Sequence, residues 1–200
     1  VVMAHVLFFA AILAACSARA ADTVDSVVIL INSASADSEE VGVHYARRRQ
    51  VPEQNICRIA CRTSDTISRA EFETKVRQPL RRFLLESGLA TQPAPGGPLQ
   101  LKVKYLVSTY GVPVKIREDY AGAKLAELPR GIHDRTAAAV DSELALIALP
   151  AYPLKGWVEN PMLSKGGSAP LLFATRLDGP TPAIAKDLVD AAIDAETHGL

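Results

Sequence analysis

Two short stretches carry the residues whose types and spacing could do chemistry: Val140-Asp141-Ser142-Glu143 and Arg176-Leu177-Asp178-Gly179-Pro180. Asp178 stands before Gly-Pro, so it leaves an element into a tight turn, a geometry that can aim a carboxylate across the top of a sheet. If Asp178, Asp141 and Glu143 converged, they could hold a divalent cation through oxygen ligands or divide into a general acid and a general base. Arg176 could fix an anionic substrate group through two parallel hydrogen bonds. A structural role competes with each of these. Asp before Gly-Pro forms turns, acidic residues in a first helical turn complement the helix dipole, and Arg176 paired with Asp141 would tie a loop to a helix. The expected catalytic set is Asp178, Asp141 and Arg176, and the cofactor to consider is a divalent cation.

A second set concerns binding. Asn32-Ser33-Ala34-Ser35 joins an apolar run to a helix start, where free backbone N–H groups and hydroxyls suit an anion, although capping alone also accounts for such residues. Tyr110 and Gly111, in a Tyr-Gly-Val-Pro turn, could meet a ligand ring or sugar. Asn32, Ser33, Tyr110 and Gly111 are therefore the expected ligand-binding residues. Several chemistries are absent from the text: no G-x-S-x-G elbow, no H-E-x-x-H, no phosphate-loop lysine in a glycine-rich turn and no G-x-G-x-x-G after the first strand. Past the N-terminal leader the histidines are His44, His133 and His198. His44 falls on the inward stripe of a helix, where a satisfied boundary histidine is the simpler reading.

These residues must be positioned by alternating strands and helices. The β-branched run at 23–31 suits a strand buried on both faces, and the text from Ser35 turns helical, with Asp37 and Glu40 spaced like a capping box. A second strand is expected over 55–60, and a helix from Ser68 that Pro79 kinks and Gly88 stops. A third strand is expected over 103–109, a short edge piece at 114–116, a helix over 140–149, a fourth strand over 171–175 and a helix over 183–197. Residues 117–136 read as an excursion and 150–169 as a long loop. The alternation predicts an α/β fold: a doubly wound, mostly parallel sheet with helices on both faces, truncated at its C-terminus. In such sheets ligands bind beyond the carboxyl ends of the strands, so the loops at 32–35, 60–64, 110–113 and 176–180 matter most.

Composition limits the partners. The 22 basic and 22 acidic residues cancel, which leaves no field of one sign to draw nucleic acid, and Arg47-Arg48-Arg49 ends a helix, where cations suit the dipole. Residues 1–21 read as a signal peptide, with an apolar run from Val6 to Ala15 and Ala18-Arg19-Ala20 as a cleavage site. Leu13-Ala14-Ala15-Cys16 also fits a lipobox, in which Cys16 would carry the lipid and form the one membrane attachment. The expected location is periplasmic, cell-envelope or secreted, and residues 22–200 form one α/β domain, incomplete at its C-terminus. Cys57 and Cys61 would need a chain turn between them to pair, because four residues of one strand span about 13 Å. A disulfide and two buried thiols both stand as readings.

Tyr105-Leu106-Val107, Gly111-Val112-Pro113, Val140-Asp141-Ser142-Glu143-Leu144, Asn160-Pro161 and Arg176-Leu177-Asp178-Gly179-Pro180-Thr181 resemble an uncharacterised family of exported bacterial proteins. So does Tyr45-Ala46-Arg47-Arg48-Arg49-Gln50-Val51-Pro52. The resemblance implies export and brings no activity, cofactor or catalytic residue. A looser scaffold likeness is to the caspase and gingipain type of cysteine peptidase, whose His and Cys have no counterpart in the corresponding loops here. Two functions follow as expectations: an extracytoplasmic hydrolase-like enzyme with an acidic strand-tip site, or a non-catalytic envelope or surface domain that binds a glycan, peptide or protein partner. The second expects Tyr152 and Trp157 on a broad exposed patch.

Overall fold

The computed structural model of the chain describes residues 24–117, 137–150 and 171–199. The expected leader with Cys16 lies outside them, as do His133, Tyr152, Trp157 and Asn160-Pro161. Nine strands follow in chain order among the described residues: β1 (Val27–Asn32), β2 (Ile56–Ile59), β3 (Thr66–Ile67), β4 (Ala90–Thr91), β5 (Gln100–Leu101), β6 (Tyr105–Ser108), β7 (Lys115–Ile116), β8 (Ala138–Ala139) and β9 (Phe173–Arg176). The helices are α1 (Ala36–Arg49), α2 (Arg69–Glu71), α3 (Gln78–Glu86), α4 (Val140–Ala145) and α5 (Pro182–His198), with a π-helical stretch, Phe72–Arg77, joining α2 to α3.

The fold is α/β. Its main sheet has four strands in the order β2, β1, β6, β9, and every pairing is parallel. Strand β1 is central because its sequence is apolar at consecutive positions and can be buried on both sides. Val28, Ile29, Leu30 and Ile31 are fully buried. Alternate residues serve two cores: Val28 and Leu30 pack with Phe72, Leu80, Leu84 and Leu144, whereas Ile29 and Ile31 pack with Ala46, Val51 and Val107. Each such side chain contributes about 1.5–3 kcal/mol relative to exposure.

Helix α1 lies close on β1. A Cβ built on Gly42 would stand 2.4 Å from Ile31 Cδ1 and 2.5 Å from Ile31 Cγ1, so an alanine there would force the buried Ile31 side chain or the helix to shift. Gly42→Ala gains roughly 1 kcal/mol of helix propensity, yet overpacking by about 1–3 kcal/mol outweighs it. The expected result in urea unfolding is a lower midpoint, with favourable coupling to Ile31→Ala in a double-mutant cycle.

Several expected elements differ in detail. The N-cap of α1 is Ser35, whose side chain accepts from Ser38 N–H, so Asp37 and Glu40 form no capping box. The start expected at Ser68-x-x-Glu71 holds: Ser68 and Glu71 form a full capping box. Pro79 falls near the start of α3, inside a continuous helical run from Arg69 to Glu86. The π-helical stretch before it bonds Gln78 N–H to Glu73 O, five residues back, a register that takes up the misfit between Pro79 and the preceding turn. The piece expected as an edge at 114–116 is β7, the middle strand of a separate sheet, β3-β7-β8. Helix α4 closes at Ala145, and two arginines, Arg77 and Arg81, donate to the carbonyls of Ile147, Leu149 and Pro150 beyond it.

The expected run of cations at 47–49 ends α1 as predicted, and it also binds α5. Arg48 pairs with Asp190 at 2.6 Å and Arg49 with Glu196 at 2.5 Å, while His44 shares Asp190 at 3.1 Å. His44 is thus a partly buried tie between two helices. Cys57 and Cys61 are both free and buried. Burial pushes the Cys57 thiol up to about 12; burial, with the nearby Glu71 charge, pushes Cys61 up to about 11. Since the thiolate is the nucleophile, the folded protein should react with an aromatic disulfide reagent at pH 8 far more slowly than the protein in guanidinium. The raised values also mean that the thiols favour the fold below the ordinary thiol pKa, and that this contribution is lost as pH climbs towards 11 and 12.

Candidate functional site at the strand tips

Beyond the carboxyl ends of the parallel strands lies a cavity of about 500 Å³. Three loops bring its described lining residues together. Thr63, Ser64 and Asp65 follow β2; Tyr110, Gly111, Val112 and Val114 follow β6; Asp178 and Gly179 follow β9. Convergence follows from parallel pairing: β1, β2, β6 and β9 run the same way, so their exits meet at one end.

Asn32 fastens these exits from below. It is fully buried at the tip of β1. Its side-chain N–H donates to Gly111 O at 2.9 Å, and its side-chain oxygen accepts from Ala34 N–H and Cys61 N–H, both at 3.2 Å. One amide thus joins the loops after β1, β2 and β6. A buried relay runs alongside. Asn32 N–H donates to Ser38 Oγ at 2.9 Å, Ser38 and Thr109 hydroxyls lie 2.7 Å apart, and Thr109 Oγ1 donates to Leu30 O at 3.0 Å. Because the Thr109 proton goes to Leu30, the Ser38 hydroxyl must donate to Thr109.

Gly111 closes the turn with φ +79°, a conformation that L side chains seldom adopt. A Cβ there would also stand 2.8 Å from Ser35 Oγ. Arg176 supports the same turn from the other side. It donates to both oxygens of Asp141, at 2.9 and 2.7 Å, and to the carbonyls of Val112 at 2.6 Å and Pro113 at 3.0 Å. The Arg176 side chain is only 11% exposed, and these four hydrogen bonds satisfy a guanidinium largely withdrawn from water.

The sequence-derived candidates therefore separate into two groups. Asp178, Tyr110 and Gly111 line the cavity. Asp141 and Arg176 are held by one another at its margin, where Arg176 positions the Val112-Pro113 backbone. Asn32 and Ser33 lie beneath: Ser33 gives both its N–H and its hydroxyl to Ile59 O, at 2.7 and 3.0 Å. Asp178 is exposed and accepts Gly179 N–H at 2.8 Å, the turn role its Gly-Pro context suggests. The expected meeting of Asp178, Asp141 and Glu143 does not occur, since Glu143 is turned to Arg69 at 2.9 Å. Among the described residues no three His, Cys, Asp or Glu side chains stand together as metal ligands. No cysteine or histidine is among the described lining residues.

Sequence reasoning missed Asp65 and Val114. The loop Thr63-Ser64-Asp65 has turn-forming residues directly after a strand, and extending the expected strand-tip loop by one residue would have found Asp65. Val114 gave no signal, because an apolar residue after proline reads as strand. The backbone around them is fixed: Val114 N–H and Lys115 N–H both donate to Asp65 O, at 2.8 and 2.9 Å.

No known protein family, no curated protein and no solved structure matches the chain. The function of its site therefore follows from geometry. Among the described residues no helix is long and apolar enough to cross a membrane.

Proposed function

We propose that this chain is an exported, doubly wound α/β domain that binds a small polar ligand in the strand-tip cavity. The observation that carries this reading is the cavity itself, with two carboxylates, three hydroxyls and an aromatic ring contributed by three separate loops. Its place is also favourable: β2 and β6 flank β1 on opposite sides, and the crevice beside such a reversal of strand order is where ligands enter sheets of this kind. The signal peptide reading and the resemblance to an exported family support a periplasmic, envelope or secreted location. A lipid anchor at Cys16 belongs to the same proposal.

A screen of monosaccharides, amino acids and short diamines by thermal shift tests the reading, with Val114→Trp as the comparison. The indole would occupy cavity space without disturbing the buried network under Asn32. At least one class should raise the Tm of the natural protein and leave that of Val114→Trp unmoved. Equal shifts in both proteins would place the ligand elsewhere, and no shift in either would remove the cavity as a small-ligand site.

The hydrolase-like reading keeps one specific support: Asp65 and Asp178 line the same cavity, and two carboxylates can divide acid and base roles. It predicts turnover of an activated glycoside or ester that Asp178→Asn abolishes while binding survives. Absence of turnover beside intact binding favours the non-catalytic domain.

A further inference from the structure

The described lining of the cavity is one-sided in charge. Two of its described lining residues, Asp65 and Asp178, carry carboxylates, and none carries a cation. The arginines closest in sequence are both engaged. Arg62, next to Thr63, pairs with Glu71 at 2.9 Å, and Arg176, two residues before Asp178, is held by Asp141 and two carbonyls. Lys115, which follows Val114, is not among the lining residues. The N-terminus of α1 borders Gly111, and its positive end is answered by the Ser35 cap and by Asp37 and Glu39 in its first turn.

Resting on the ligand-binding reading above, we propose that the cavity selects a small molecule bearing an ammonium group. Asp65 and Asp178 supply the opposite charge, and the hydroxyls of Thr63, Ser64 and Tyr110 supply neutral acceptors for the remaining N–H donors. A carboxylate or phosphate in the same place would meet two like charges and no neutralising side chain from the described lining. Both aspartates are exposed, so the preference is moderate and falls as salt is added.

Two matched sets of probes isolate charge from shape: glucosamine, glucose and glucuronate, and putrescine, butanediol and succinate. Calorimetric titration at low salt should give the cationic member of at least one set about 5-fold tighter binding than its neutral partner, with the anion weakest. The double variant Asp65→Asn, Asp178→Asn keeps the cavity shape and the oxygen that accepts Gly179 N–H. It should bind the cationic and neutral members alike while its Tm stays near that of the natural protein. If neutral or anionic members bind as well as the cations, or if the double variant keeps the preference, the ammonium proposal is wrong and the cavity remains a ligand site. If none of the six probes binds while the wider screen finds a ligand that Val114→Trp loses, the ammonium proposal falls and the cavity remains a ligand site; if neither finds one, both proposals fall.

Discussion

Asn32→Asp should lower stability by about 3–5 kcal/mol at pH 7, because it places a carboxylate in a fully buried site and turns a donor into an acceptor facing the Gly111 carbonyl. The change is nearly isosteric, so packing is not the cause. When protonated, the introduced carboxyl can still donate to Gly111 O and accept from the Ala34 and Cys61 N–H groups, as the amide does. Burial raises the folded-state pKa of the new acid above its unfolded value. The variant is therefore closest to the natural protein in acid, and it loses stability as pH rises through the ordinary carboxylate range. The natural protein has the opposite slope there. Glu71 is held below the usual range by the backbone of Ser68 and Glu196 by hydrogen bonds from Arg49, so their contribution is lost as pH falls. Tm measured from pH 4 to 7 for both proteins should show the two curves diverging. Parallel curves would mean that Asn32 is not the clasp described above.

Gly111→Ala should cost about 2–4 kcal/mol, from the strain of an L residue in the left-handed region and from the close approach of its methyl to Ser35. Gly88 separates the two contributions. It has φ +70° with nothing within 4 Å of where a methyl would lie, so Gly88→Ala should carry the strain alone, about 1 kcal/mol. Denaturant midpoints for the two variants give the difference directly. An equal loss at both positions would show that the Ser35 contact yields easily, and that the turn bearing Tyr110 is less tightly held than its geometry implies.

Much of this arrangement was legible in the sequence, for reasons that can be named. The unbroken apolar run of β1 announces a strand covered on both sides, and alternation with helices announces parallel pairing, so the end of the sheet that gathers the loops follows at once. Three of the four expected strand-tip loops do line the cavity. What could not be read was the state of each charged group. Arg176 and Asp141 had the right types and spacing for a site, but nothing in their sequence says that Val112 and Pro113 would present carbonyls to the same guanidinium. Asn32 looked like a ligand residue because it follows a buried strand, and that same burial makes it a clasp. The two-residue strands β3, β7 and β8 lacked the length to show a period. The π-helical stretch was hidden too, since Pro79 signals a misfit without saying which turn absorbs it.

If the strand-tip cavity is where this protein meets its ligand, backbone amide shifts followed during titration with the best probe will map to it. The largest shifts should then cluster at Ser64, Tyr110, Gly111, Val112 and Gly179. Shifts concentrated instead on the outer face of α5, where Ile184 and Leu188 are exposed, would contradict a ligand site at the strand tips.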